Sequence, residues 1–133
     1  MKKEVVTFDQ ALELCKLGFN EVTCCGYLIE NRELYFCHIE DEEFYKPEKD
    51  LHAPLKQQVF RWFREKFNLY TDIYPLDITV SGKTGYRYSY VTYHLIEAYA
   101  NNDDELLGHY TYEEAENACI DKLIELVKLN QTK

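Results

Sequence analysis

The sequence lacks the segments that direct a chain into or across a membrane. No stretch reaches the roughly 18 consecutive apolar residues that a spanning helix requires. Lys2 and Lys3 are not followed by the apolar run of a secretory signal. Without such a signal, the five cysteines are expected to be free thiols in a reducing compartment. These absences predict a cytoplasmic protein with no membrane partner.

The chain also lacks the basic excess that binding to duplex nucleic acid requires. Its net charge is −9. Residues 1–52 contain six basic and twelve acidic residues, and residues 96–133 contain three basic and nine acidic residues. The middle segment, residues 53–95, is mildly basic, with six basic and three acidic residues. Because phosphate contacts supply most non-specific affinity for a duplex, we expect no duplex partner. Acidic surfaces of this kind commonly keep a protein soluble.

Signatures of catalysis, metal binding and phosphate binding are missing as well. Cys24, Cys25, Cys37 and His38 are metal candidates, but hairpin pairing gives each face only two ligands, and zinc takes four. Residues 81–85 lack the upstream glycine of a phosphate loop and lie between predicted strands, which favours a hairpin turn. The four histidines are scattered, and no acid–base pair is evident. The sequence favours a non-enzymatic protein without metal or cofactor.

The sequence contains enough apolar residues to form one ordered domain over residues 1–133. The chain is 46% apolar and 15% aromatic, far from the composition of a disordered chain. Three amphipathic segments predict helices: residues 7–18 with a capping box at Thr7 and Gln10, residues 54–68, and Thr111 to about Lys128. Their predicted buried stripes are Phe8, Leu12, Cys15 and Phe19; Leu55, Val59, Trp62, Phe63 and Phe67; and Ala115, Cys119, Leu123, Leu126 and Val127. In the second helix Lys56 is assigned to the polar side.

Two hairpins separate the helices. Residues 24–29 and 34–39 predict the first, with Ile29 opposite Leu34 and Tyr27 opposite Phe36. Residues 69–80, bent at Pro75, and the Tyr-rich run from residue 86 to about 95 predict the second. The order helix, hairpin, helix, hairpin, helix indicates an α+β fold. We expect an antiparallel sheet of about four strands with the helices packed on one face.

Tyrosines in the second hairpin predict a binding surface. Tyr86, Tyr88 and Tyr90 alternate along one side of the strand with His94. Tyr70 and Tyr74 are expected to join them, and Arg87 lies on the other side of the strand. Tyrosine gives rigid contact area and is enriched at interfaces, although it also simply suits strands. The leading hypothesis is a non-catalytic protein that binds another protein, or its own copy as a homo-oligomer.

Three segments resemble small uncharacterised proteins carried by phages and by integrated mobile elements of gut bacteria. They are residues 7–12, residues 53–66 and residues 111–115, and the likeness extends over most of the chain in the same order of elements. The similar residues are those that begin the predicted helices and those that form their buried apolar stripes. The resemblance implies an accessory protein of a mobile element and assigns no catalytic residue.

Two other functions fit the same sequence. Stacked tyrosines near Arg87 and Lys83 would hold a nucleotide or a short single strand, because bases stack on aromatic rings. Alternatively, the acidic ends of the chain would mimic nucleic acid and occupy a DNA-binding protein. Ligand-dependent thermal stabilisation would indicate the first, and salt-sensitive capture of a basic partner would indicate the second.

Overall fold

A computed structural model describes residues 4–36, 49–75, 86–92 and 111–131. Its elements in chain order are α1 (Phe8–Lys16), β1 (Cys25–Leu28), β2 (Leu34–Phe36), β3 (Asp50–His52), α2 (Lys56–Phe67), β4 (Leu69–Pro75), β5 (Tyr86–Thr92) and α3 (Tyr112–Gln131). The strands form an antiparallel three-stranded sheet in the order β2–β1–β3 and an antiparallel pair, β4–β5. The α+β class and the order of helices and hairpins are confirmed. The described strands lie in two sheets instead of one, and β3 lies in a stretch predicted as loop.

The helix boundaries follow local hydrogen bonding. At α1 the Thr7 hydroxyl accepts from Gln10 N at 3.2 Å and the Gln10 side chain accepts from Thr7 N at 3.0 Å, so the predicted capping box is present. Asn68 ends α2 in the left-handed conformation, which asparagine tolerates better than most residues. At α3 the Thr111 hydroxyl accepts from Glu114 N at 3.1 Å. Among the residues that the structure describes, no helix is both long and apolar enough to cross a membrane.

The core contains residues of the three helices, of the three-stranded sheet and of β4. Leu14, Phe63 and Leu123 are fully buried, one from each helix, and they join Tyr27 and Leu51 of the sheet in one cluster. In the stripe predicted for α1, Phe19 is buried and Phe8 and Leu12 are partly buried against the core, but Cys15 is exposed. The fully buried apolar residues of α1 are Ala11 and Leu14, which the prediction left out. Packing against α3 decides this, since the Gln10 side chain donates to Asn117 O and to Asp121 Oδ1.

The first hairpin is displaced by two residues from the predicted register. Tyr27 pairs with Leu34, and Cys25 pairs with Phe36. The connection is longer than a two-residue turn: Arg32 has φ 61° and its N–H donates to Leu28 O. A shift of two residues keeps each side chain on its predicted face, because the side-chain period of a strand is two.

Gly26 leaves room for the ring of Tyr35, its partner on β2. A Cβ atom at residue 26 would lie 2.6 Å from the Tyr35 hydroxyl oxygen and Cζ. We therefore expect Gly26→Ala to lower the free energy of unfolding by about 1 kcal/mol, because the ring must move. In a Tyr35→Ala background the same change should cost nothing, since alanine suits a strand better than glycine. Urea denaturation of the four proteins tests this, and an equal cost in both backgrounds would contradict it.

Candidate functional site

The β4–β5 pair contains six of the seven residues predicted for the binding surface. Pairing gives two alternating rows, and directly opposite residues share a face of the sheet. One row pairs Pro75 with Tyr86, Ile73 with Tyr88, Thr71 with Tyr90 and Leu69 with Thr92. The other row pairs Tyr74 with Arg87, Asp72 with Ser89 and Tyr70 with Val91. The predicted surface is therefore divided between the two faces, and His94 lies outside the described residues.

The described side chains show which row meets the core. Leu69 is buried and Ile73 packs against the core cluster, so the row shared with Tyr86, Tyr88 and Tyr90 has its described members on the inner side. Tyr70 is 37% exposed, and Asp72 is exposed. The row shared with Tyr74 and Arg87 is consequently the outer row.

Tyr112 is the first residue of α3, the helix that packs against both β4 and β5. It is 39% exposed. Burial is the main cause that raises the pKa of its phenol, and the charges of Glu116 and Asp72 raise the pKa further. Asp72 belongs to β4, and α3, which begins at Tyr112, packs against that strand. We call Tyr70, Asp72 and Tyr112 the tyrosine–aspartate patch.

A chain of polar side chains leads from the patch into the protein. Gln57 hydrogen bonds with Tyr112 and donates from Nε2 to Glu116 Oε2 at 3.3 Å. Glu116 Oε1 in turn lies 3.9 Å from Lys56 Nζ. The Lys56 side chain is 3% exposed and that of Glu116 is 8% exposed. The sequence-based assignment of Lys56 to the polar side of its helix is therefore wrong.

Within the buried pair, the pKa of Glu116 is shifted. Burial raises the pKa of the Glu116 carboxyl, and the Lys56 ammonium opposes that rise without cancelling it. A buried titratable pair is a common mark of an active site. General acid–base chemistry, however, requires the group to reach a proton on a substrate. Both side chains are enclosed, so the arrangement serves the packing of α2 against α3.

Sequence reasoning missed Glu116, although a signal was available. Glu116 lies four residues before Ile120 and three before Cys119, both buried. This spacing places Glu116 on the inward face of α3. A charged residue within an apolar stripe predicts a buried partner of opposite charge.

A second polar cluster surrounds the start of β1. The Thr23 hydroxyl donates to Cys25 O at 2.7 Å and lies 3.2 Å from His52 Nδ1. A hydroxyl has one proton, so His52 Nδ1 is the donor in the second contact. Burial lowers the pKa of His52, which favours the neutral imidazole near pH 7. These contacts fix the orientation of His52 and anchor the Cys25 backbone.

The predicted cysteine–histidine metal candidates are only partly described. Cys24 Sγ lies 3.7 Å from Cys25 Sγ, while Cys37 and His38 lie outside the described residues. In the part of the chain that the structure covers, no three His, Cys, Asp or Glu side chains are grouped as a metal ion would require. Of the four predicted metal candidates, the structure therefore describes only the two neighbouring thiols of Cys24 and Cys25.

Comparison of the chain with family models, with curated proteins and with solved structures gave no match.

Proposed function

We propose that the protein is a non-catalytic binding protein that uses the outer row of the β4–β5 pair to contact another protein or a second copy of itself. The observation that carries the proposal is the tyrosine–aspartate patch. It combines the partly exposed ring of Tyr70 and the exposed Asp72 carboxylate of the outer row with the partly exposed ring of Tyr112 on the helix that packs against these strands.

The chemistry of the patch suits an interface with a protein. Tyrosine offers a large apolar area with few rotatable bonds, so little entropy is lost when its ring is held by a partner. Asp72 supplies an acceptor that fixes the orientation of a donor such as arginine. Tyr74 and Arg87 occupy opposite positions in the same row and extend the proposed surface along the strands.

An accessory role in a phage or mobile element is part of this proposal and rests on the resemblance in sequence. Nucleotide binding stays an alternative, because Tyr74 and Arg87 are paired across the ladder and would stack and neutralise such a ligand. Mimicry of nucleic acid by the acidic surface is the other alternative. Each of these two alternatives predicts a different result in the experiments described below.

Replacing Tyr70 and Tyr112 together by serine should weaken association about tenfold or more, since aromatic residues dominate the energy of interfaces. Both side chains are partly exposed, so the fold should persist. Sedimentation velocity over a range of concentrations measures self-association. Crosslinking in the source cells, followed by mass spectrometry of the captured species, identifies a different partner, whose affinity is then measured with purified components.

Val22→Ser is the matched control, because Val22 is an exposed apolar residue outside β4, β5 and α3, and association should be unchanged. Tyr88→Ser with Tyr90→Ser tests the other row. Loss of association through that second pair alone would contradict the proposed surface. Thermal stabilisation by nucleotide, or capture of a basic partner that disappears with added salt, would favour the respective alternative.

A further inference from the structure

We propose that Cys24 and Cys25 form a dithiol site for a trivalent organic arsenical. Their Sγ atoms lie 3.7 Å apart. Cys24 is half-buried, whereas Cys25, the next residue in the chain, is buried. Arsenic would bind first through Cys24 and then close a ring with Cys25.

The pair is poorly suited to an internal disulfide. Neighbouring Cα atoms across a trans peptide are about 3.8 Å apart, and the peptide bonds of the described residues are all trans. Ordinary disulfides span Cα distances of roughly 4.4–6.8 Å. A bond between the two sulfurs would therefore be strained, which favours the dithiol as the persistent form.

The sulfur spacing suits a bridging atom with bent geometry. A zinc–sulfur bond is about 2.3 Å long. With bonds of that length, two sulfurs 3.7 Å apart make an angle of about 107° at the central atom. Linear two-coordinate ions need a wider spacing. Tetrahedral zinc takes four ligands, and the described residues offer no group of three. Trivalent arsenic with one carbon substituent needs only two thiolates, which this pair provides.

The surrounding hydrogen bonds hold the site in position. The carbonyl oxygen of Cys25 accepts from the Thr23 hydroxyl at 2.7 Å and from Ala53 N at 3.1 Å. The backbone behind the second thiol is thus fixed, and only side-chain rotation is needed to close the ring. Preorganisation of this kind reduces the entropy lost on binding.

The reaction with phenylarsine oxide balances without an oxidant. Both S–H bonds and the arsenic–oxygen bond break, and two arsenic–sulfur bonds form. The two protons leave with the oxygen as water, and arsenic stays trivalent. Each protein molecule should therefore gain one phenylarsenic group and lose two thiol protons.

Intact-mass spectrometry of the folded full chain after treatment with phenylarsine oxide tests the site. We expect one adduct per chain that survives excess 2-mercaptoethanol, because one thiol cannot displace a chelate, and that dithiothreitol removes. Cys24→Ser should abolish the resistant adduct. Cys15→Ser, which changes an exposed single thiol, should leave it intact.

Three results would overturn the proposal. The first is a resistant adduct that persists in Cys24→Ser. The second is an adduct that is lost in Cys37→Ala, which would assign the second thiol to Cys37. The third is an adduct that forms only after unfolding in urea, which would show that Cys25 is inaccessible. Circular dichroism of each variant confirms that the fold is retained before the masses are compared.

Discussion

A variant with Lys56→Met and Glu116→Leu together is expected to be more stable than the wild type by about 1–4 kcal/mol at neutral pH. Both side chains are buried, and their charged atoms are 3.9 Å apart, a long separation for an ion pair. Burial raises the pKa of Glu116 despite the nearby Lys56. The cost of removing the carboxylate from water therefore exceeds the attraction between the charges. Apolar residues of similar volume avoid that cost.

The gain should depend on pH with a defined sign. The folded pKa of Glu116 is raised above its ordinary value of 4.5, and the Glu113 and Glu4 carboxylates contribute to the rise. A raised pKa means that Glu116 contributes stability below about pH 4.5 that is lost as the pH rises through the folded pKa. The advantage of the double variant should therefore be small in acid and increase toward neutral pH.

Urea denaturation of the wild type, both single variants and the double variant at several pH values measures these differences. Lys56→Met alone should destabilise the protein, because it removes the ammonium group that opposes the rise in the pKa of the buried Glu116 carboxyl. A double variant that is less stable than the wild type at neutral pH would show that the ion pair is net stabilising. A gain that shrinks as the pH rises would contradict the raised pKa.

Local signals in the sequence predicted the helix ends well. The Thr7–Gln10 box, the Thr111 cap and the end of α2 at Asn68 all depend on residues within one turn of one another. Such signals act through the backbone and need no information about the rest of the fold. The α+β class followed from the alternation of helical and strand periods.

Long-range packing could not be predicted from the same patterns. Lysine is usually a surface residue, and the burial of Lys56 accompanies its contact with Glu116, which lies 60 residues later in the chain. The alternation of tyrosines predicted the strand. It did not predict which face of the strand lies against the core, because a period of two residues fits either face. Pairing with β4 supplies the missing information, since Leu69 and Ile73 contact the core.

Tyr27 shows why tyrosine content alone does not identify a binding surface. Its ring is buried against Phe8 in an edge-to-face contact, and its hydroxyl donates to Val6 O at 2.7 Å. A buried tyrosine is acceptable when its hydroxyl finds such a partner. The exposed fraction of Tyr70 and Tyr112, rather than the number of tyrosines, therefore carries the proposed function.

Phe63→Ala is expected to cause the largest loss of stability, about 3–5 kcal/mol. Phe63 is fully buried and belongs to an aromatic group in α2 with Trp62 and Phe67. Its ring lies 5.1 Å from that of Trp62 in an edge-to-face contact and 5.9 Å from that of Phe67. Trp62 also contacts Phe19, which connects α2 to the segment after α1. Removing the Phe63 ring leaves a cavity that these neighbours cannot fill without giving up their own contacts.

Phe36→Ala is the matched control, since it makes the same chemical change at a position that is 63% exposed. Substitutions at exposed positions usually change stability by less than about 0.5 kcal/mol. The midpoints of urea unfolding, followed by circular dichroism, should therefore separate the two variants widely. Equal losses would show that the aromatic group in α2 is not the centre of the core. A Phe63→Leu variant with most of the stability restored would indicate that filled volume, more than ring geometry, holds α2 in place.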